Sequence, residues 1–321
     1  MSTLETKPNV AVVGAGVFGR NHLRVIHQSE HATLAGVFDT NPERSREAAA
    51  FYGCPAFASL DHLASHAEAA VVATPTVSHL EIGCRLLEAG LDVLMEKPIT
   101  GDVASAATLV ETARRTGRIL QVGHLERFNP AVAALAAAVN MPLFFEIHRL
   151  SKFTPRSLDI DVVLDLMIHD IDIVLSLTRR PPEEIRAAGI RVLSPKVDIA
   201  NVRLQFSGGC VANLTASRVS TERVRKLRLF QPQEYISVDY SRQDGARFRV
   251  KHPAGIEYAP LAVAKDEPLR LELEDFFQSV VTRRPPRVTG EQALAALQVA
   301  RDIVVKIEEH GRLVEQSLAA R

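Results

Sequence analysis

The chain has 321 residues, and its 38 Lys and Arg balance 38 Asp and Glu, so the formal net charge is zero. That length predicts two domains, each able to bury a core. The neutral balance excludes a protein that grips nucleic acid through a broadly basic surface. A composition of 46% hydrophobic and 24% charged residues excludes disorder and collagen-like architecture. Cys54, Cys84 and Cys210 are an odd, scattered set. They fit neither a disulfide framework nor a zinc site, and read as reduced thiols in a cytoplasmic protein without a metal. The opening MSTLETKPN lacks the basic and apolar regions of a signal peptide, and no apolar run approaches the roughly 20 residues of a membrane span.

Taken in order, Asn9–Val13 (NVAVV) predicts a short buried strand and Val17–His27 a helix. Thr33–Phe38 predicts a second strand that ends at Asp39. Asn41-Pro42 opens the next helix, with Pro at a tolerated first-turn position. Ala69–Ala73 is a third strand, followed by Thr74-Pro75 and a helix over Ser78–Ala89 that Gly90 closes. Asp92–Met95 predicts a strand, Asp102–Thr116 a helix stopped by Gly117, and Ile119–Val122 another strand. Apolar strands alternating with helices imply a doubly wound parallel sheet covered on both faces, an α/β domain over residues 1–123. Beyond Gly123 the pattern changes. One helix is expected over Asp161–Leu177, then alternating segments at Ile185–Leu193, Ala200–Phe206, Val211–Ser217, Val224–Phe230 and Tyr235–Tyr240, with Gly208-Gly209 as a hairpin turn. Strands without intervening helices imply a largely antiparallel sheet in a second domain over 124–321. Helices at Leu269–Val281 and Glu291–Glu309 complete it.

Gly14, Gly16 and Gly19 form G-x-G-x-x-G, with Val17 and Phe18 inside it, between the first strand and its helix. The first Gly permits the tight turn, the second admits a pyrophosphate, and the third lets helix and strand pack closely. Asp39 ends the second strand about 20 residues on, where an acid accepts hydrogen bonds from ribose hydroxyls. The alternative is a glycine turn used for packing alone. An acid there repels a 2′-phosphate, which favours NAD over NADP, a preference that nearby Arg44 and Arg46 soften. Thr74, Pro75 and His79 follow the carboxyl end of a strand, where such sheets bind ligands. His79 reads either as lining that site or as a helix-start histidine facing solvent.

Glu96-Lys97-Pro98 places an acid and a base at another strand's carboxyl end, as a site or as a surface ion pair. The helix DVVLDLMIHDIDIVLSL sets Asp161, Asp165, His169 and Asp172 among apolar residues. The spacings of four and three put Asp165, His169 and Asp172 on one face. Carboxylates beside a histidine orient it and tune its basicity, and a row of acids on an apolar helix needs a partner or a use.

In this order, GAGVFG, ATPTVSH, EKP and the Asp-x-x-x-His-x-x-Asp helix resemble the glucose–fructose oxidoreductase, inositol dehydrogenase and rhizopine-catabolism (Gfo/Idh/MocA) family over essentially the whole chain. The resemblance implies a Rossmann domain, an α+β domain with an open sheet, and reversible oxidation of a sugar or cyclitol hydroxyl by a bound nicotinamide cofactor. It implies that Lys97 is the catalytic lysine and that Asp165 and His169 are the acidic and histidine members of the site. A cis peptide before Pro98 and a homodimer or homotetramer are implied as well. VGHLERFNP (Val122–Pro130), DLMIHDID and ASRVSTERVRK further resemble the branch of UDP-N-acetylglucosamine 3-dehydrogenases, whose 3-keto product is a precursor of a 3-amino sugar, for example for lipid A. An inositol or free-sugar dehydrogenase of the same family is the alternative, and a non-catalytic NAD-binding sensor lies outside it.

Arg218, Arg223, Arg225, Lys226 and Arg228 cluster on two expected strands. They read equally as a seat for a substrate diphosphate or as a charged, protected strand edge. Strand alternation sets Arg223 and Arg225 on one face and Lys226 and Arg228 on the other. The expected mechanism lays the substrate across the carboxyl ends of the parallel strands, against the second domain's sheet. His169 is preferred over Lys97 as the group that takes the hydroxyl proton, Lys97 polarises the oxygen and relays or shares the proton, Asp165 orients His169 and Glu96 positions Lys97. Arg127, Asn129, Arg156 and Arg218 are further substrate-contact candidates, Arg127 being equally a structural ion-pair partner.

Overall fold

The computed structural model describes residues 7–154, 160–251, 253 and 255–319. Five parallel strands form the first sheet: β1 (Asn9–Val13), β2 (Thr33–Phe38), β3 (Ala69–Val72), β4 (Asp92–Glu96) and β5 (Leu120–Gly123), in the order β2-β1-β3-β4-β5. β1 and β3 are apolar along nearly their whole length, and β4 over its three central residues, because helices cover both faces of such a sheet. The crossover helices are α1 (Val17–Gln28), α2 (Pro42–Tyr52), the short α3 (Leu60–Ala64), α4 (His79–Glu88) and α5 (Val103–Thr116). Their ends follow local chemistry. The Asn41 side-chain oxygen accepts the N–H groups of Glu43 and Arg44 at 2.9 and 3.3 Å to cap α2, and Asp102 accepts the Ser105 N–H at 2.9 Å to cap α5. Gly117, at φ +64°, closes α5.

The second sheet has eight strands in the order β13-β12-β11-β10-β6-β9-β8-β7, and β6 with β9 is its parallel pair. These are β6 (Phe144–Lys152), β7 (Glu184–Ile190), β8 (Ile199–Gln205), β9 (Val211–Ser220), β10 (Val224–Gln231), β11 (Glu234–Asp239), β12 (Asp244–Lys251) and β13 (Gly255–Pro260). Alternation holds on the central strands. Phe145, Ile147, Val202, Leu204, Leu214, Leu227 and Leu229 are buried, while Lys226, Arg228 and Arg203 are exposed. The hairpin between β8 and β9 turns through Gly208 and Gly209, both at positive φ. The helices of this half are α6 (Pro130–Ala138) and α7 (Ile168–Thr178), the latter preceded by a π-helical turn over Val163–Met167. Two long helices follow the sheet, α8 (Pro268–Thr282) and α9 (Gly290–Ala319).

The chain forms two compact units. One runs to Leu125 and adds Glu267–Leu294; the other holds Glu126–Asp266 and the chain from Ala295. Residues 267–294, expected in the second domain, thus sit in the first unit. The reason is apolar. Leu273, Phe276 and Phe277 of α8 are buried in one cluster with Val10 and Val12 of β1 and Leu23 and Ile26 of α1. Polar ties reinforce it: the Gln121 amide donates to the Glu272 carbonyl at 3.0 Å, Arg283 pairs with Asp92, and the Val122 N–H donates to the Val288 carbonyl at 3.1 Å.

Phe276 is completely buried. Phe276→Ala is expected to cost about 3–5 kcal/mol of the first unit's stability. Urea denaturation followed by circular dichroism measures it; a loss under about 1 kcal/mol would show that α8 does not belong to this core.

Candidate active site

The glycine turn between β1 and α1 meets each demand of a dinucleotide cradle. Gly14 has φ +99°, and a Cβ there would stand 2.5 Å from the Ala73 carbonyl oxygen. A Cβ on Gly19 would stand 1.8 Å from the Gly14 carbonyl oxygen, so the helix lies against the strand only because position 19 has no side chain. A Cβ on Gly16 meets nothing within 4 Å, which leaves open space at the N-cap of α1, where no side chain caps the helix. These residues fit the pyrophosphate of NAD. Val17 and Phe18, at the start of the helix, are exposed. Asp39 braces the turn: its carboxylate accepts the Ala15 N–H at 2.7 Å and the Asn41 N–H at 2.8 Å.

At the carboxyl ends of β3 and β4 two loops face each other. Thr74 is half-buried, accepting a hydrogen bond from the Ser78 hydroxyl at 2.9 Å, and Pro75 is exposed. His79 is 1% exposed, so the solvent-facing reading does not hold; its ring nitrogens contact the backbone carbonyls of Thr74, Pro98 and Ile99. The Lys97-Pro98 peptide is cis. Glu96 does not form a surface ion pair. One carboxylate oxygen contacts His22 Nε2 at 2.7 Å and the other accepts the Lys97 N–H at 3.2 Å. Burial pushes this carboxyl up, but His22 and Lys97 outweigh it and hold the carboxyl below its ordinary value. Glu272 has no such partner. Burial, with the Glu96 and Asp275 charges nearby, raises it well above the ordinary range. His22 escaped sequence reasoning, although its place three residues after Gly19, on the buried face of α1, was a signal.

In the second unit the acidic helix divides its residues. Asp165 and His169 are both partly exposed. The π turn is marked by the Ile168 N–H donating to the Val163 carbonyl, five residues back, and such turns are common at functional sites. Asp172 does not serve His169: it is buried and pairs with Arg127 at 3.4 Å. Asp170, which sequence reading passed over, forms a two-pronged pair with Arg149 at 2.7 and 2.8 Å, and Arg149 also donates to Glu126 at 2.8 Å. Burial opposes the Arg149 charge, but Asp170 and Glu126 outweigh it and hold the guanidinium charged. Asn129 is 3% exposed. It caps α6 by accepting the Ala131 N–H at 3.1 Å and donates to the Tyr240 carbonyl at 3.0 Å, so its polar atoms serve the fold. Arg156 lies outside the described residues.

The basic cluster comes apart. Arg218 is 5% exposed, bonded to the Ile160 carbonyl and 3.8 Å from Asp198. Arg225 points inward, donates to Ser151 at 3.1 Å, and is pushed down to about 10 by burial and by Arg149. Lys226 and Arg228 lie on the exposed face, Arg228 paired with Glu146 at 3.1 Å. Asp198 is itself a knot. It accepts the N–H groups of Val192, Leu193 and Ser194 at 2.7–2.9 Å and the Ser194 hydroxyl at 2.6 Å. Burial raises its pKa, but the Ser194 hydroxyl and these backbone donors outweigh it and bring it down to about 2. Among the described residues no group of three or more side chains is suited to hold a metal ion, and no helix is long and apolar enough to cross a membrane.

Residues 8–124 match the model of an oxidoreductase family with an NAD-binding Rossmann fold, and residues 137–233 match the GFO/IDH/MocA C-terminal domain. The chain is 38% identical over 305 residues to a UDP-N-acetylglucosamine 3-dehydrogenase from Acidithiobacillus ferrooxidans, covering 91% of this chain and 96% of the relative. A crystal structure of the UDP-N-acetylglucosamine 3-dehydrogenase from that organism superposes with a TM-score of 0.90 at 36% identity, covering 95% of this chain and 99% of that one. An inositol 2-dehydrogenase from Saccharopolyspora erythraea is 35% identical over 195 residues, 57% of this chain and 56% of the relative.

Two predictions separate the roles above. Gly16→Val is expected to leave thermal stability within a few degrees of the parent while weakening NAD binding at least tenfold in calorimetry. Gly19→Ala should instead lower stability by about 1–3 kcal/mol or more, because the helix must shift. For Asp198 the depressed carboxyl contributes stability that is complete above its unfolded pKa near 4 and is lost as pH falls toward 2. Asp198→Asn should therefore be less stable than the parent at pH 7, and the gap should narrow between pH 4 and 2. A gap that stays constant with pH would contradict the assignment.

Proposed function

The chain belongs to the GFO/IDH/MocA oxidoreductase family, and from that premise we propose that it oxidises the C3 hydroxyl of UDP-N-acetylglucosamine to the 3-keto sugar. The observation that carries this reading is the likeness to the Acidithiobacillus dehydrogenase over 96% of that protein's length. When bound, NAD supplies the hydride acceptor. The turn at Gly14, Gly16 and Gly19 holds its pyrophosphate, Val17 and Phe18 flank it, and Asp39 takes the adenine ribose hydroxyls, with Thr74, Pro75, Glu96 and Lys97 completing the cofactor side and His79, 1% exposed, supporting the Thr74 loop from behind. His169, oriented by Asp165, takes the proton of the C3 hydroxyl, and the Lys97 ammonium donates a hydrogen bond to the same oxygen as negative charge grows on it. The buried ties of Arg218 and Asn129 argue against their contacting substrate, and the Asp172 pair supports the structural reading of Arg127. The same reading makes the protein a cytoplasmic homodimer or homotetramer.

Incubation with NAD and UDP-N-acetylglucosamine should yield NADH and a product two hydrogens lighter by mass spectrometry, with myo-inositol giving far less. Turnover of inositol alone would redirect the reading to that branch. Lys97→Ala and His169→Ala are each expected to lower kcat by about 10²–10⁴-fold with NAD affinity nearly unchanged. Full activity in either variant would remove that residue from the chemistry.

A further inference from the structure

Two buried histidines lie on either side of the loop that carries Lys97. His22, fully buried on α1, sets Nε2 2.7 Å from one Glu96 oxygen, while the other Glu96 oxygen accepts the Lys97 N–H at 3.2 Å. This fixes the amino side of Lys97 to the helix that begins at the glycine turn. His79, 1% exposed at the start of α4, sets Nδ1 3.0 Å from the Pro98 carbonyl oxygen and 3.3 Å from that of Ile99, with Nε2 3.0 Å from the Thr74 carbonyl oxygen. This fixes the carboxyl side to the loop after β3. All three partners are carbonyl acceptors, so a ring nitrogen donates only where it carries a proton, and the imidazole ties both loops by hydrogen bonds when both nitrogens do. Gly123 makes room for the arrangement, since a Cβ there would stand 3.1 Å from a Glu96 oxygen.

An imidazole costs more to bury than an apolar residue of similar bulk unless its nitrogens are used. Two such rings therefore need a reason, and the backbone they share is that of residues 96–99. Lysine has a long, rotatable side chain, so the accuracy of an ammonium depends on the backbone beneath it. Misplacing a reacting group by about 1 Å costs on the order of a hundredfold in rate.

We infer that His22 and His79 are positioning residues that lock the backbone around Lys97 from both sides, fixing where its ammonium meets the substrate oxygen. This rests on the reading of Lys97 given above. Neither histidine needs to touch the substrate. His22 acts through Glu96, and His79 acts through the Pro98 and Ile99 carbonyls. The two ties also link the Lys97 loop to α1 and to the Thr74 loop, the elements assigned to the cofactor.

The test uses the full chain loaded with NAD and four variants: His22→Leu, His22→Gln, His79→Leu and His79→Gln. The leucine variants should speed amide hydrogen exchange in peptides spanning residues 96–99 at least tenfold, leave peptides of β1 and β3 unchanged, and keep NAD affinity within threefold. With UDP-N-acetylglucosamine they should lower kcat at least tenfold while changing KM less than threefold. His22→Gln, which keeps a donor toward Glu96, should return within threefold of the parent in both readouts, and His79→Gln should fall between parent and leucine variant. Unchanged exchange in residues 96–99 overturns the inference. So does a general rise in exchange with kcat and NAD affinity falling together, which is the mark of a merely structural role. If a leucine variant fails to fold, parental exchange and kcat in His79→Gln overturn it as well. Local exchange that rises as expected in a parent enzyme without activity on the sugar would sink the substrate reading and leave the positioning role standing.

Discussion

The first unit is organised around a charge that has to be buried. Glu96 ends β4, the strand next to the sheet's edge strand β5, and its side chain is largely withdrawn from water, at 16% exposure. Taking a carboxylate out of water costs several kcal/mol unless donors replace the lost solvent. His22 and the Lys97 N–H supply them, and Gly123 supplies space. Each requirement falls on a different element: α1, the β4 loop and β5. One buried carboxylate therefore sets how three parts of the unit must pack. It also bears on Glu272, whose carboxyl is pushed well above its ordinary value by burial first and then by the nearby Glu96 and Asp275 charges.

The second unit solves the same problem with the opposite sign. Arg149 points from β6 into the interior, where alternation puts Phe145 and Ile147. Asp170 and Glu126 neutralise it, and its guanidinium lies 5.4 Å from the Tyr240 ring centroid. Glu126, Arg127 and Asn129, three polar residues of one short segment, are each drawn into buried pairings within this unit. A motif that resembles a recognition sequence can thus be kept by the demands of a polar core. The same holds for Arg218, whose partners are a carbonyl and Asp198.

The parts of the fold legible in the sequence were those with a strict local cause. Gly14 and Gly19 are forced by steric contact, Asp102 and Gly117 by the ends of a helix, and the strands NVAVV and AAVV by burial on both faces. What stayed hidden lacked a local cause. β6 carries Arg149 at an inward position, so its alternation looks broken until Asp170 is known. α6, PAVAALAAA, is apolar on nearly every side and shows no amphipathic stripe. β12 and β13 are edge-side strands studded with Arg, Lys, Gly and Pro, the composition that protects an edge from further pairing. That α8 joins the first unit follows from a long-range apolar contact that no window of sequence contains. At the candidate site, the steric demands of Gly14 and Gly19 could be read from the motif. The use of His22, and the burial of His79, Asp172 and Arg218, required knowing what each faces.

Asp39 shows why a residue can be read correctly in place and incompletely in role. Sequence position makes it the acid at the end of β2. In the structure, the Ala15 and Asn41 N–H groups hold its two oxygens, one from the glycine turn and one from the cap of α2. The carboxylate is therefore fixed before any nucleotide arrives, with its charge at the edge of the cradle that Gly16 leaves open. A fixed negative charge pays little reorganisation when ribose hydroxyls donate to it, and it repels a phosphate on the same ribose. Arg44 and Arg46 do not cancel this charge by direct contact. Arg46 turns its Nε to the Pro42 carbonyl at 3.1 Å, and Arg44 lies exposed on the first turn of α2. On the roles proposed above, the preference for NAD would rest on a preorganised carboxylate whose orientation is set by the glycine turn, and the two halves of cofactor recognition would share one piece of backbone.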